Sequence, residues 1–291
     1  MIIPSNGHFD TTQANIEANG MEALNLFSKY LKDEKSNSYF KGDMDTESLK
    51  KLLDEKHEKI PLVYLTITNN TGGGQPVSLK NIQEISDMAH GYGIPFFLDA
   101  CRFAENAWFI KKHETGYENM PIEKIVKKVF MFADGFTISF KKDGLSNMGG
   151  GLFIKEDGLF AKKHPEFLDE LMNYQILKEG HPTYGGLSGR DIMALAVGLK
   201  FVTKQEYLDA RINQIKSFGE GMKMAGLSIL TPAGGHAIYL DMNKFFEGTS
   251  LKKEDFGGVS FTILLLAIYG HRACELGDFA FGSYNEETKE E

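Results

Sequence analysis

The chain is predicted to adopt an α/β fold, a mostly parallel sheet covered by helices on both faces, with a smaller α+β region behind it. Three observations predict this. Short apolar runs end in turn residues, amphipathic segments of helical period lie between them, and the pattern becomes mostly helical after about residue 160. Taken in order, 60–68 is a β-branched run closed by Asn69-Asn70-Thr71-Gly72-Gly73-Gly74, a buried strand ending in a turn. Ser78 then caps a helix from Leu79 to Gly91, in which Ile82, Ile85, Met88 and Ala89 recur at helical spacing, and Gly91 and Gly93 stop it. Ile94-Pro95-Phe96-Phe97-Leu98-Asp99 is the next strand.

An Ile- and Val-rich helix around Pro121 to Val129 leads into a strand at 135–140, and 149–154 reads as a return strand. Helices are expected over Phe160–Leu177, Arg190–Val202 and Gln205–Met224. A strand pair, 227–230 with 237–240, brackets Pro232-Ala233-Gly234-Gly235, and a last helix covers Val259–Tyr269. A domain boundary is expected between residues 200 and 225.

Composition excludes several classes. The 291 residues carry 32 basic and 40 acidic side chains, a formal charge of −8, without a dense Lys/Arg block interleaved with aromatics, which argues against nucleic acid as the main partner. Hydrophobic residues at 42% and charged residues at 25% fit an ordinary globular chain rather than a disordered one. The apolar run 261–269 is too short to span a bilayer, and the first residues lack the pattern of a secretory signal. Cys101 and Cys274 are read as free thiols in a cytoplasmic protein, with no metal site built on them.

The chemistry is carried by Asp99, closing one strand, and Lys142 in Ser139-Phe140-Lys141-Lys142-Asp143-Gly144, about forty residues later. Pyridoxal phosphate chemistry requires that pair: a lysine amine for the cofactor aldehyde, and a carboxylate that keeps the pyridine nitrogen protonated so the ring accepts carbanion electrons. Each residue alone has a plainer reading. Lys142 could be a surface lysine, Asp99 a helix cap, Arg102 a surface ion-pair residue, and Asn70 a turn former. Gly72 to Gly74 could simply be a turn needing positive φ; no Gly-Lys-Ser/Thr follows, so it is not a P-loop. His236 reads as a packed, hydrogen-bonded histidine rather than a base.

Six segments together resemble the β-eliminating lyases of aromatic amino acids, the tryptophanase and tyrosine phenol-lyase family. They are Phe9 to Gln13, Asn70 to Ser78, Asp99 to Ala107, Ser139 to Asp143, Pro182 to Leu187 and Gly234 to Ala237. The resemblance implies the aspartate-aminotransferase-like fold (fold type I), with a seven-stranded large domain, here 1–210 without its N-terminal part, and a partial small domain, 211–291. It implies that Lys142 forms the Schiff base, that Asp99 holds the pyridine nitrogen, that Asn70 and Arg102 address the ring hydroxyl oxygen, and that Ser139 and Lys141 serve the phosphate. Asn147 would help hold a monovalent cation, potassium in this family. Asp10 and Leu276 stand where phenol-lyases carry groups for the phenol hydroxyl, and both favour an indole, so L-tryptophan is the expected substrate, with tyrosine or another amino acid of a β-lyase as the alternative. His181 and Tyr184 would lie at a subunit interface of a dimer or tetramer.

The same resemblance marks departures. Family members carry a Gln-Gly-Arg-Gly phosphate loop and an active-site tyrosine upstream of the Phe-Asp-Thr-Thr segment, and a carboxylate-binding arginine downstream, none of them present in these 291 residues. The chain is therefore expected to be the central part of a lyase, with a fragment or split-enzyme subunit without catalysis as the other reading.

Overall fold

The computed structural model describes residues 1–277 apart from 32, 34, 35, 179, 182–185, 253 and 254. Tyr184 and most of the Pro182 to Leu187 segment lie outside the described residues.

Four strands form the central sheet: β3 (Val63–Thr66), β4 (Phe96–Asp99), β5 (Gly135–Ser139) and β6 (Gly150–Ile154), in that spatial order. β3, β4 and β5 run parallel, and β6 returns antiparallel to β5. Every residue of β3 and β4 is buried, the pattern of a sheet covered on both sides. A parallel pair, β1 (Ile2–Ser5) and β2 (Glu22–Asn25), lies alongside. Asn6 joins the two sheets: its side-chain amide accepts from the Thr66 amide at 2.8 Å and donates to the Thr66 carbonyl at 3.0 Å, imitating a backbone ladder pair on the open edge of β3. Six strands are thus described, in sheets of two and four, where one seven-stranded sheet was expected.

Alternation along the strands separates two apolar layers. Val63, Leu65, Phe96 and Leu98 point into the main core with Ile82, Ile85 and Ala89 of α3 (Leu79–Gly91), Ala104 and Ile110 of α4 (Phe103–His113), and Ile125 and Val129 of α5 (Ile122–Met131). Tyr64 and Phe97 point the other way, onto Ile3, Ile16 of α1 (Asp10–Ala18) and Phe160 of α6 (Leu159–Lys163). The helix α2 (Thr46–Lys56) buries Leu49 and Leu53 in the main core, and Asp45 caps it by accepting from the Glu47 and Ser48 amides. Ser78 caps α3 as expected, accepting from the Asn81 amide.

The C-terminal third is helical: α7 (Phe167–Lys178), α8 (Gly189–Phe201), α9 (Gln205–Met224), the short α10 (Met242–Phe245) and α11 (Gly257–Tyr269). Two expectations change here. The single helix over Phe160–Leu177 is two, because Pro165 lacks an amide hydrogen and pushes His164 out of helical geometry (φ −131°, ψ 64°). The strand pair 227–230 and 237–240 is reduced to one antiparallel bridge, Ile229 with Leu240, because the intervening Pro-Ala-Gly-Gly loop turns inward against the Asn70 turn instead of closing a hairpin. The expected boundary region is filled largely by α9, one uninterrupted helix.

Candidate cofactor site

Asp99 ends β4, in register with Thr66 on one side and Thr137 on the other. Being two residues after Phe97, its side chain lies on the Tyr64 and Phe97 face. It is 7% exposed and accepts from the Cys101 amide at 3.3 Å, yet among the described residues no cation is ion-paired with it. The neighbouring groups feel that negative charge. Burial and then Asp99 push the Cys101 thiol up to about 12, and the same two causes raise the Tyr64 phenol. His8 is fully buried, with its ring stacked on Tyr64 at 6.2 Å. Burial lowers its pKa, only partly offset by its hydrogen bond to the Ile3 carbonyl and by Asp99. Nε2 is 2.9 Å from that carbonyl oxygen and therefore donates, whereas Nδ1 is buried without a hydrogen-bond partner among the described residues.

Lys142 sits in the turn that leaves β5. It is half-buried, while Lys141 is exposed. Its Nζ lies 5.8 Å from the ring centre of Phe9, the residue that enters α1. Cys101 joins the two strand ends: its amide donates to Asp99 and its carbonyl accepts from the amide of Asp143, the residue after Lys142. The half-buried Ser139 donates its amide to the Cys101 sulfur at 3.1 Å. Asn147 is exposed in the loop before β6, and no cluster of His, Cys, Asp or Glu suited to a metal exists among the described residues.

Asn70 is 7% exposed and held from the C-terminal region. Its Oδ1 lies 2.9 Å from His236 Nε2 and accepts from the Tyr239 hydroxyl at 3.1 Å. The turn it opens bends through Gly73 and Gly74 at φ 83° and 68°, the left-handed geometry the glycine run suggested. A Cβ on Gly234 would stand 2.3 Å from the Gly74 carbonyl oxygen, so the two glycine turns meet backbone to backbone. Arg102 precedes α4, half-buried, and donates its amide to the Ile67 carbonyl; burial raises the Tyr239 phenol to about 12, and the Arg102 charge opposes that rise. It makes no ion pair of its own among the described residues.

Asp10 is the first residue of α1, beside Phe9, and is half-buried. Leu276 is half-buried beyond α11. Asp10 thus follows the residue whose ring lies against the Lys142 amine.

Sequence reasoning assigned no role to the group beneath these residues. Glu105 and Asp143 have fully buried carboxylates, bridged by Arg211 of α9 through Nη2 to Glu105 at 2.6 Å and Nη1 to Asp143 at 2.9 Å. Thr68 and His236 Nδ1 also donate to Glu105 Oε1, each at 2.8 Å. Burial pushes Glu105 up, but His236, Arg211 and Arg102 outweigh it and hold the carboxyl below its ordinary range. Asp143 is raised, by burial first. Asp143 rather than Asp99 caps α4, accepting from the Ala104 and Glu105 amides at 2.8 and 3.2 Å. His236 is packed and hydrogen-bonded at both nitrogens, as its sequence context suggested. Only the position of Asp143, immediately after Lys142, could have drawn attention to this group. Glu105 and Arg211 are 106 positions apart, and nothing local to either marks the contact.

These residues fit pyridoxal phosphate. A buried carboxylate without a cation partner suits a protonated ring nitrogen, and a half-buried amine beside Phe9 suits the aldehyde. Arg102, at the amide-donating end of α4, suits an oxyanion on the ring.

Comparison with known proteins identifies the family. A sequence model of the beta-eliminating lyase family matches residues 1–290. A tryptophanase of Rhodobacter capsulatus is 44% identical over 280 residues, 96% of this chain and 60% of that protein. A tyrosine phenol-lyase of Fusobacterium nucleatum is 39% identical over 281 residues, 96% of this chain and 58% of that protein. The chain thus spans about 60% of the length of the curated relatives it matches. A solved structure of Leishmania major threonine aldolase superposes with a TM-score of 0.51 at 19% identity, over 80% of this chain and 59% of that one. That likeness carries the fold alone, the aspartate-aminotransferase-like α/β arrangement expected from sequence.

Proposed function

Because the chain belongs to the beta-eliminating lyase family, we propose that the protein catalyses pyridoxal-phosphate-dependent β-elimination of L-tryptophan to indole, pyruvate and ammonia. The observation that carries this reading is that Asp99, a buried carboxylate without an ion-pair partner among the described residues, and the turn bearing Lys142 are both hydrogen-bonded to the backbone of Cys101. Bound pyridoxal phosphate supplies the sink for electrons of the substrate carbanion. Asp99 keeps a proton on the ring nitrogen, and Arg102 and Asn70 orient the ring oxygen. Lys142 would hold the aldehyde, and its amine would move the proton at the substrate α-carbon. Ser139 and Lys141 serve the phosphate.

Asp10 accepts a hydrogen bond from the indole N–H, and Leu276 presents an apolar surface where an arginine would be a buried charge without a phenol oxygen to pair with. Residues 1–210 serve as the cofactor-binding unit and 211–291 as part of the smaller one. Potassium near Asn147 is part of the same reading, as are a cytoplasmic location and a homo-oligomer. Exposed apolar residues on α8 and α11, such as Val197 and Leu264, support self-association. No described helix is long and apolar enough to cross a membrane.

The test is release of indole from L-tryptophan against phenol from L-tyrosine, with pyridoxal phosphate and potassium present. The reading expects indole in excess. Faster phenol release moves the assignment to tyrosine, and release of neither, with cofactor bound, supports the non-catalytic subunit.

A further inference from the structure

The amine of Lys142 is useful only at a fixed separation from Asp99, and the turn that carries it is short and close to the surface. The residue after it holds this turn. Asp143 donates its amide to the Cys101 carbonyl at 3.2 Å, and its carboxylate accepts from the Ala104 and Glu105 amides. Cys101 lies between β4 and α4, and Ala104 and Glu105 lie in the first turn of α4, just after Asp99. Consecutive Cα atoms are about 3.8 Å apart, so pinning Asp143 there places Lys142 relative to Asp99. The remaining Asp143 oxygen is taken by Arg211, 68 positions later on α9.

We propose that Arg211 is a positioning residue for Lys142: its two amino groups lock the Asp143 turn to Glu105, and through Glu105 and His236 to Asn70, so that both ends of the cofactor site keep one spacing. The inference rests on the assignment of Lys142 to the cofactor. The chemistry of the guanidinium supports it. One planar fork reaches two separate carboxylates that would otherwise repel each other in a buried place, and a lysine ammonium is a single point that serves one of them at a time. Removing the fork leaves Asp143 and Glu105 facing each other without a shared cation, and the Asp143 turn is the more easily displaced, because Glu105 is built into α4 and also held by Thr68 and His236.

The test compares Arg211→Lys and Arg211→Met with Ile212→Val, a core substitution at the adjacent position on α9, where Ile212 is 4% exposed. Hydrogen exchange is followed by mass spectrometry in peptides covering 101–106 and 139–145, and the apparent Kd for pyridoxal phosphate is measured by absorbance titration. Both Arg211 variants should exchange faster in the two peptides at matched global stability, and Arg211→Lys should weaken cofactor binding by about tenfold, the equivalent of about 1.4 kcal/mol. Ile212→Val should change neither. Should Arg211→Lys not fold, Asp143→Asn is read in its place, with the same expectations. Unchanged exchange in both peptides, or the same local loosening in Ile212→Val, overturns the proposal. A wild-type chain that does not bind the cofactor overturns the Lys142 assignment instead, and the exchange measurement still decides whether Arg211 holds the turn.

Discussion

Replacing Glu105 by Gln perturbs the centre of the buried network while changing almost no volume. The carboxylate receives three donors: Thr68 and His236 on Oε1 and Arg211 on Oε2. A glutamine offers one acceptor oxygen and an NH2 group, so in either orientation the NH2 faces a donor. If it faces Arg211, a charge-assisted hydrogen bond worth about 1.5–3 kcal/mol is lost; if it faces Thr68 and His236, buried donors are left unsatisfied at about 1–3 kcal/mol. Asp143 still balances Arg211, which keeps the loss below that of an unpaired buried charge. The expected destabilisation at pH 7 is about 3 kcal/mol, a large part of the roughly 5–15 kcal/mol that holds a typical domain. Urea unfolding of both proteins across pH measures it. The folded-state pKa of Glu105 is depressed, so its contribution is complete above the unfolded-state value near 4.5 and is lost as pH falls through the folded value. The gap between wild type and variant should therefore close toward acid. A loss under about 1 kcal/mol at pH 7, or a gap that widens as pH falls, would refute the reasoning.

Other substitutions probe the surroundings. Gly234→Ala sets a Cβ 2.3 Å from the Gly74 carbonyl oxygen, a backbone collision expected to cost on the order of 2 kcal/mol and to weaken pyridoxal phosphate binding by separating His236 from Asn70; unfolding and absorbance titration check both. Leu98→Ala empties a fully buried site one residue before Asp99 and should destabilise by about 3 kcal/mol in urea. Trp108→Phe removes the 2.7 Å hydrogen bond to Asp209 at modest cost, about 1 kcal/mol, and an unfolding midpoint unchanged from wild type would contradict that bond.

The parts of the fold that could be read from sequence are those decided locally. The helix α3 has its serine cap, its apolar stripe and its glycine stop within sixteen residues, and its bounds coincide with expectation, as do those of α9. β3, β4 and β5 are apolar runs punctuated by turn residues, and they too lie where expected. The parts not legible depend on distant partners. β1 and β2 pair across an intervening helix, and β1 reaches the main sheet through the side chain of Asn6, which no periodicity signals. The strand pair after α9 fails because its loop is drawn against Gly74, some 160 positions earlier.

The site divides the same way. Asp99 and Lys142 could be named because one closes a strand and the other stands in the turn after a strand, each with the residue type its chemistry needs, and Asn70 and Arg102 because they stand in recognisable motifs. Arg211 is an ordinary member of an amphipathic helix until the fold sets it between two buried carboxylates. His8 and Tyr239 likewise acquire meaning only from what surrounds them.

The central claim is that Lys142 is the residue that holds pyridoxal phosphate, opposite Asp99. Incubation of the chain with pyridoxal phosphate, reduction with borohydride and peptide mapping by mass spectrometry test it most directly, with Lys142→Ala and Asp99→Asn run alongside. The account predicts a phosphopyridoxyl group on Lys142, none in Lys142→Ala, and weaker labelling in Asp99→Asn, where the ring nitrogen loses its carboxylate. A label on the exposed Lys141, or no labelled lysine at saturating cofactor, would contradict it.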